Sequence, residues 1–204
     1  MKNHSNDSLF FTRSNLDNKK VDNIVSDALH KADDGELFME FCESESFVYD
    51  DQRLKSAAFD TSKGFGLRAI AGESSGYAHS SDIDESALKK ASETVNFITK
   101  DNNANFNANF SKTNRKLYHE INPINETDFS EKVDVLKKID EYARSKNPNV
   151  KQVSASLNGE WQAVRIYRPG GIMIEDLRPL VRLYISIVLE KDGRQENGLS
   201  LIHI

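Results

Sequence analysis

Histidine and glutamate build most hydrolytic zinc sites, so their spacing is the first chemical signal in the sequence. The chain has five histidines, no two of which lie four or five residues apart: His4, His30, His79, His119 and His203. A helical zinc site needs two imidazoles on one face, which a spacing of four provides. His119-Glu120 begins like such a motif, but no second histidine follows, and Pro123 would break the required helix. The sequence therefore predicts no helical zinc pair in this chain.

Nucleophilic and nucleotide-binding chemistry have equally little support. No serine lies in a Gly-x-Ser-x-Gly elbow. Cys42 lies in an apolar run, where a free cysteine is typically a small buried hydrophobe. The segment Gly64-Phe65-Gly66 lacks the third glycine of a phosphate-binding loop, and strand-like sequence follows it. We interpret these glycines as points of bending or close backbone approach in a sheet.

The side chains that best fit a binding role are Arg178, Arg182 and Tyr184. From Leu180 to Glu190 every second residue is apolar, which predicts a strand with one buried face. Arg182 and Tyr184 lie on the opposite face of that strand, and Arg178 precedes it. A guanidinium group is a planar donor that suits the carboxylate or carbonyl groups of a peptide. We predict that these residues line a peptide groove; the alternative is that they are ordinary solvent-facing side chains.

Three amphipathic helices are predicted to support these segments. Apolar residues recur at steps of three and four over residues 17–32, 82–98 and 130–144. Asp82 or Asp84 is expected to cap the second helix and Ser130 to open the third.

Strand-like sequence fills most of the remainder. Residues 36–80 predict an antiparallel meander, with breaks at Asp50-Asp51, Lys63-Gly64 and residues 71–76. Asn158-Gly159 predicts a turn between two strands, and Lys191-Asp192-Gly193 predicts a hairpin whose second strand begins near Arg194. The predicted fold class is α+β, with mainly antiparallel sheets packed with three amphipathic helices.

Composition narrows the functional class further. The 204 residues carry a net charge of −5 with dispersed basic residues, so neither a nucleic-acid nor a membrane surface is expected. One cysteine gives no disulfide framework, and no apolar stretch has the length of a membrane span, so cytoplasmic residence is expected. The asparagine-rich segment 101–116 lacks either periodicity and predicts a flexible loop.

Several local strings, in this order and spacing, resemble the N-terminal region of the TldD/PmbA metalloprotease family, nearer to its TldD branch. The strings are residues 36–40, 64–73, 75–78, 154–159 and 176–183. The resemblance predicts one N-terminal domain over residues 1–198, whereas the terminal tail 199–204 does not match the family.

The resemblance implies a cytosolic zinc metalloprotease that degrades flexible peptides in a chamber between two subunits, either two copies or a TldD-like and a PmbA-like partner. In the family, a helix in the C-terminal half carries two histidines that bind zinc and a glutamate that activates water. No catalytic or metal residue carries over to this chain, which is therefore expected to be inactive alone. The alternative is a non-catalytic module that binds a peptide or partner subunit through a sheet edge.

Overall fold

The computed structural model describes residues 6–12, 14–99, 118 and 121–203, so the predicted loop at 101–116 lies outside the described residues. The helices are α1 (Asn6–Phe11), α2 (Asn18–Leu29), α3 (Glu85–Thr99) and α4 (Phe129–Lys146), with a short 3-10 turn at Pro123–Asn125. The strands are β1 (Asp34–Asp50), β2 (Arg53–Ala71), β3 (Ser74–Ser80), β4 (Val150–Arg168), β5 (Ile172–Lys191) and β6 (Arg194–His203).

These strands form one six-stranded antiparallel sheet in the order β3-β2-β1-β4-β5-β6. The α+β class and the three amphipathic helices are confirmed. Side-chain oxygens cap two of them: Asp17 accepts from the Lys20 amide, and Asp84 accepts from the Ala87 amide. Helix α1 was not predicted, because its six residues are too few to display a helical stripe.

The chain divides into two compact units. The first contains the described residues of Met1–Cys42, Ser62–His119 and Gln162–Leu177. The second contains those of Glu43–Thr61, Glu120–Trp161 and Arg178–Ile204. The long strands β1, β2, β4 and β5 contribute residues to both units, and the single-domain boundary 1–198 stays a prediction.

In the first unit, α2 packs against α3, and α3 packs against β3. Apolar residues of α2 and α3 and alternate residues of β1 and β2 are buried in this unit. The fully buried side chains include Val21, Val25, Leu29, Leu37, Met39, Leu67, Leu88 and Val95. The predicted helical stripes are therefore the buried faces of these helices.

In the second unit, α4 covers one face of the sheet. A buried cluster joins Leu136 of α4 to Phe47 and Tyr49 of β1 and to Ala155 of β4. Leu183 and Ile185 of β5 pack against this cluster, as the apolar alternation of β5 predicted.

Two predicted breaks were wrong. Strand β4 continues through Asn158-Gly159, and β2 continues through Lys63-Gly64. The glycines serve close packing instead: a Cβ at Gly64 would lie 2.8 Å from the Ser80 carbonyl oxygen, and one at Gly66 would lie 2.6 Å from the Tyr77 hydroxyl. Of the two roles predicted for these glycines, a bend or a close backbone approach, Gly64 shows the close approach to a backbone group, whereas Gly66 packs against a side chain.

The predicted terminal hairpin is confirmed. Strands β5 and β6 pair antiparallel from Arg182 opposite His203 to Lys191 opposite Arg194. Asp192 and Gly193 both have positive φ, 51° and 77°, as a tight hairpin turn requires. No helix in the described part of the chain is long and apolar enough to cross a bilayer.

Candidate functional site

The strongest candidate for a ligand site is a polar cavity of about 340 Å³ in the second unit. It crosses four neighbouring strands, from β2 through β1 and β4 to β5. Its lining residues are Ser44, Glu45, Ser46, Ala58, Asp60, Asn158, Gly159, Glu160, Leu180 and Arg182. We call this cavity the groove. Its volume lies in the range of about 300–1,000 Å³ that is typical of small-ligand sites.

Strand alternation places these residues on the sheet face opposite α4. Phe47 of β1, Ala155 of β4 and Leu183 of β5 point towards α4, where they join or pack against the buried cluster. Residues an odd number of positions away point to the other face. Ser46, Asn158 and Arg182 obey this rule, as do most of the other lining residues. The groove is therefore the polar face of strands whose apolar face builds the core.

A buried ion pair lies beneath the groove, on the α4 side of the sheet. The Lys132 Nζ of α4 lies 2.7 Å from Oε2 of Glu45, and both side chains are less than one-tenth exposed. Lys132 also donates to the Ile124 carbonyl at 2.6 Å, and its Nζ lies 5.9 Å from the centre of the Phe47 ring. These contacts compensate the burial of both charges.

Gly159 makes the space that Glu45 occupies. A Cβ at Gly159 would lie 3.0 Å from both Cγ and Oε1 of Glu45. Beside it, Ser46 Oγ donates to Asn158 Oδ1 at 2.8 Å, which links β1 to β4 across the groove. The Asn-Gly pair that suggested a turn therefore packs against β1 through both of its residues.

Three charged side chains give the groove its polarity: Asp60 of β2, Glu160 of β4 and Arg182 of β5. Asp60 and Arg182 are exposed and Glu160 is half-buried. None of them forms an ion pair with another residue in the described ranges. These charges remain available to a ligand, unlike the paired carboxylate of Glu45.

Of the three predicted groove residues, Arg182 lines the groove. Arg178 and Tyr184 are described and exposed on the same face of β5, on either side of Leu180 and Arg182, but they lie outside the lining. Tyr184 pairs with Leu201 of β6. A peptide-binding role for the three residues stays a prediction.

The first unit contains a second polar cluster, centred on Arg165 of β4, whose side chain is 2% exposed. Arg165 donates to Glu175 Oε1 through Nε at 2.9 Å and Nη2 at 2.5 Å, and its Nη1 lies 2.8 Å from Asp7 of α1. Its guanidinium also lies 5.1 Å from the centre of the Phe10 ring and contacts Asn18 of α2. This cluster attaches α1 and α2 to the sheet.

Burial and pairing act on the proton equilibria of this cluster. Burial raises the pKa of Tyr167 above its ordinary value and outweighs the opposing effect of Arg165. Burial, the largest single effect, lowers the pKa of Arg165, but the interactions with Tyr167 and Glu175 together outweigh it, so the net pKa is raised. Arg165 therefore stays charged and Tyr167 neutral at physiological pH.

Neither cluster offers a ligand set for the metal that the family name implies. Across residues 6–12, 14–99, 118 and 121–203, no three His, Cys, Asp or Glu side chains come together in a way that could hold a metal ion. The carboxylates that line the groove do not form such a group. We therefore derive no metal-dependent step from the described residues.

Sequence reasoning missed most of the groove. Polar residues two positions apart, Ser44 with Ser46 and Asn158 with Glu160, indicate a polar face on each of two strands. The pairing of β1 with β4 had no local sign, since Ser46 and Asn158 are 112 residues apart. Nothing in the local sequence marks Lys132 of α4 as a buried residue.

Comparison with known proteins gives the family context. A model of the PmbA/TldA metallopeptidase domain 1 matches residues 35–96, and a model of the central domain matches residues 122–201. A metalloprotease TldD homolog from Haemophilus influenzae is 33% identical over 92% of this chain. A second TldD homolog, from Buchnera aphidicola, is 27% identical over 93% of the chain. The chain spans about 40% of the length of each of these relatives.

Solved structures show the same fold. A protein from Bacteroides thetaiotaomicron, described as a candidate modulator of DNA gyrase, superposes with a TM-score of 0.71 at 15% identity, over 91% of this chain and 44% of that one. TldE from Thermococcus kodakarensis superposes with a TM-score of 0.58 at 17% identity, over 90% of this chain and 42% of that one. With both family domain models matched in order and a relative at 33% identity, the chain belongs to the PmbA/TldD metallopeptidase family.

Proposed function

We propose that this chain is the substrate-holding part of a TldD-like zinc metalloprotease that hydrolyses flexible peptides. In this proposal the groove binds an extended stretch of substrate, while residues of the complete enzyme outside this chain hold the zinc ion. The observation that carries the proposal is the groove itself, in which Asp60, Glu160 and Arg182 are unpaired, in a chain of this family. The chain alone is expected to be inactive.

The chemistry of the groove supports peptide binding. Serine hydroxyls, an asparagine amide, carboxylates and a guanidinium can hydrogen-bond both the carbonyl and the N–H groups of a peptide. Backbone groups of the strands are engaged in the sheet ladder, so a ligand on this face is contacted mainly through side chains. Peptide binding here depends on residues such as Arg182.

The first test uses a complete family enzyme that carries this segment. Arg182→Ala is expected to raise KM for a peptide substrate about threefold to fivefold, the size expected of an exposed ionic contact, with little change in kcat. Arg194→Ala is the matched control, because Arg194 is an exposed arginine of the second unit that lies outside the groove. If the two variants have the same KM, Arg182 does not bind substrate and the groove assignment is wrong.

The second test uses the 204-residue chain. We expect no stoichiometric zinc by elemental analysis and no cleavage of an unstructured peptide, because the proposal assigns both to residues outside this chain. Stoichiometric zinc together with peptide cleavage by the purified chain alone would overturn the proposal.

A second candidate function is a non-catalytic module that binds a partner subunit, either a second copy or a PmbA-like protein. Strand β6 lies at an edge of the sheet and exposes apolar side chains, with Leu199 69% and Leu201 54% exposed. Such an edge favours pairing with another strand. Leu201→Lys is expected to reduce concentration-dependent association in sedimentation experiments. If association occurs and the variant leaves it unchanged, the partner does not bind at this edge.

A further inference from the structure

The groove has opposite charges at its two ends. Asp60, on β2, marks one end and Arg182, on β5, marks the other. Glu45 adds no free charge, because Lys132 pairs with it from the α4 side. Glu160, on β4, is a second unpaired carboxylate between these ends. The unpaired charges therefore run across the strands from two carboxylates to one guanidinium.

The distance between these ends sets the length of a matching ligand. Neighbouring strands lie about 4.8 Å apart, so the three intervals from β2 to β5 span about 14 Å. An extended peptide rises about 3.3 Å per residue, so four residues span about 13 Å. The groove therefore matches a tetrapeptide that lies across the strands.

The middle of the groove fits a peptide backbone. Ser44 and Ser46 provide hydroxyl groups, Asn158 provides an amide, and Glu160 provides an acceptor for N–H groups. No aromatic side chain is among the described lining residues, so the groove offers no stacking surface for a nucleobase. A short polar chain fits this lining better than a planar ring does.

We propose that the groove binds a short peptide of about four residues with free termini, its carboxylate at Arg182 and its amino group at Asp60. This inference rests on the proposed peptide-binding function and specifies the class of peptide. It assigns to the groove the short products of peptide hydrolysis, because both termini of the bound peptide are free.

The test is calorimetric titration of the 204-residue protein with tetra-alanine and two capped forms, N-acetyl-tetra-alanine and tetra-alanine amide. Blocking either end is expected to weaken binding about threefold to fivefold, the size expected of one exposed ion pair. Arg182→Gln removes the preference for a free carboxylate and leaves the preference for a free amino group. Asp60→Asn has the converse effect. Arg194→Gln, outside the groove, preserves both preferences.

The outcomes separate this inference from the function on which it rests. Equal affinity for free and capped tetra-alanine overturns the inference. The inference is also overturned if tetra-alanine does not bind while a capped 12-residue peptide binds in an Arg182-dependent manner. In that case the proposed groove function stands. If neither peptide binds, both proposals fail.

Discussion

Two arginines on neighbouring strands have opposite surroundings. Arg165 of β4 is buried in the first unit and bound by Glu175, Asp7 and Asn18. Arg182 of β5 is exposed in the second unit and lines the groove without an ion pair to any described residue. The alternation of β5 predicted that Arg182 lies on the polar face of its strand. No local pattern predicted that Arg165 is buried. The contrast shows that tertiary partners separate a structural arginine from one available to a ligand.

The largest expected change in stability is that caused by replacing Lys132, a buried cation. Lys132→Met leaves the buried Glu45 carboxylate unpaired, so we expect the free energy of unfolding to fall by about 4 kcal/mol. Urea denaturation followed by circular dichroism measures this change. The double variant Lys132→Met with Glu45→Gln should recover part of the loss, because it removes the unpaired charge. A single variant as stable as wild type would show that the pair is unimportant.

Arg165→Met is expected to destabilise the protein by about 2–3 kcal/mol, less than Lys132→Met because Glu175 and Asp7 remain partly exposed to water. The same denaturation experiment measures it. Arg182→Met is the matched control for the loss of an arginine. Equal stabilities of the two variants would remove the distinction between structural and available arginines.

The Arg165 cluster also predicts a dependence on alkaline pH. The pKa of Tyr167 is raised by burial, so the folded state binds the phenolic proton more tightly than the unfolded state. This stability is fully present below the ordinary tyrosine pKa of about 10 and is lost as the pH rises through the raised value, with a slope of at most about 1.4 kcal/mol per pH unit. Denaturation curves at pH 9 to 11 should show a shallower decline for Tyr167→Phe. An identical decline in both proteins would contradict the assignment.

The smallest expected effect is that of Arg182→Gln on stability. Because Arg182 is exposed and unpaired within the described ranges, the free energy of unfolding should change by at most about 0.5 kcal/mol. Thermal and urea denaturation both measure it. A loss comparable to that of Arg165→Met would mean that Arg182 has a structural role, and its availability to a ligand would be in doubt.

The sequence supported correct predictions of buried faces where a pattern repeats within one element, although Ser130 does not open α4, which begins at Phe129. The apolar stripes of α2, α3 and α4 and the alternation of β5 each identify a buried face from residues close in the chain. The β5–β6 hairpin was also local, since Asp192 and Gly193 determine its turn. These elements position Arg182 on the correct face.

The predictions failed where a distant residue decides the outcome. Asn158-Gly159 is a favourable turn sequence, but Glu45 and Ser46 of β1 pack against it and keep it in a continuous strand. The groove could not be predicted for the same reason. Its lining residues come from four strands, and their register depends on pairing between residues far apart in the chain. One lining residue, Arg182, was predicted, and the carboxylates that complete the site were not.

The central claim is that a peptide binds the groove and not the exposed edge at β6. The most direct measurement is the change in backbone amide NMR shifts of the labelled 204-residue protein on titration with a capped 12-residue unstructured peptide. We expect shifts at Ser46, Asn158 and Arg182 in the wild-type protein. In Arg182→Gln the shifts at Ser46 and Asn158 should require an about threefold to fivefold higher peptide concentration, whereas Arg194→Gln should titrate like the wild-type protein. Shifts confined to residues 199–202, or none at all, would contradict the account.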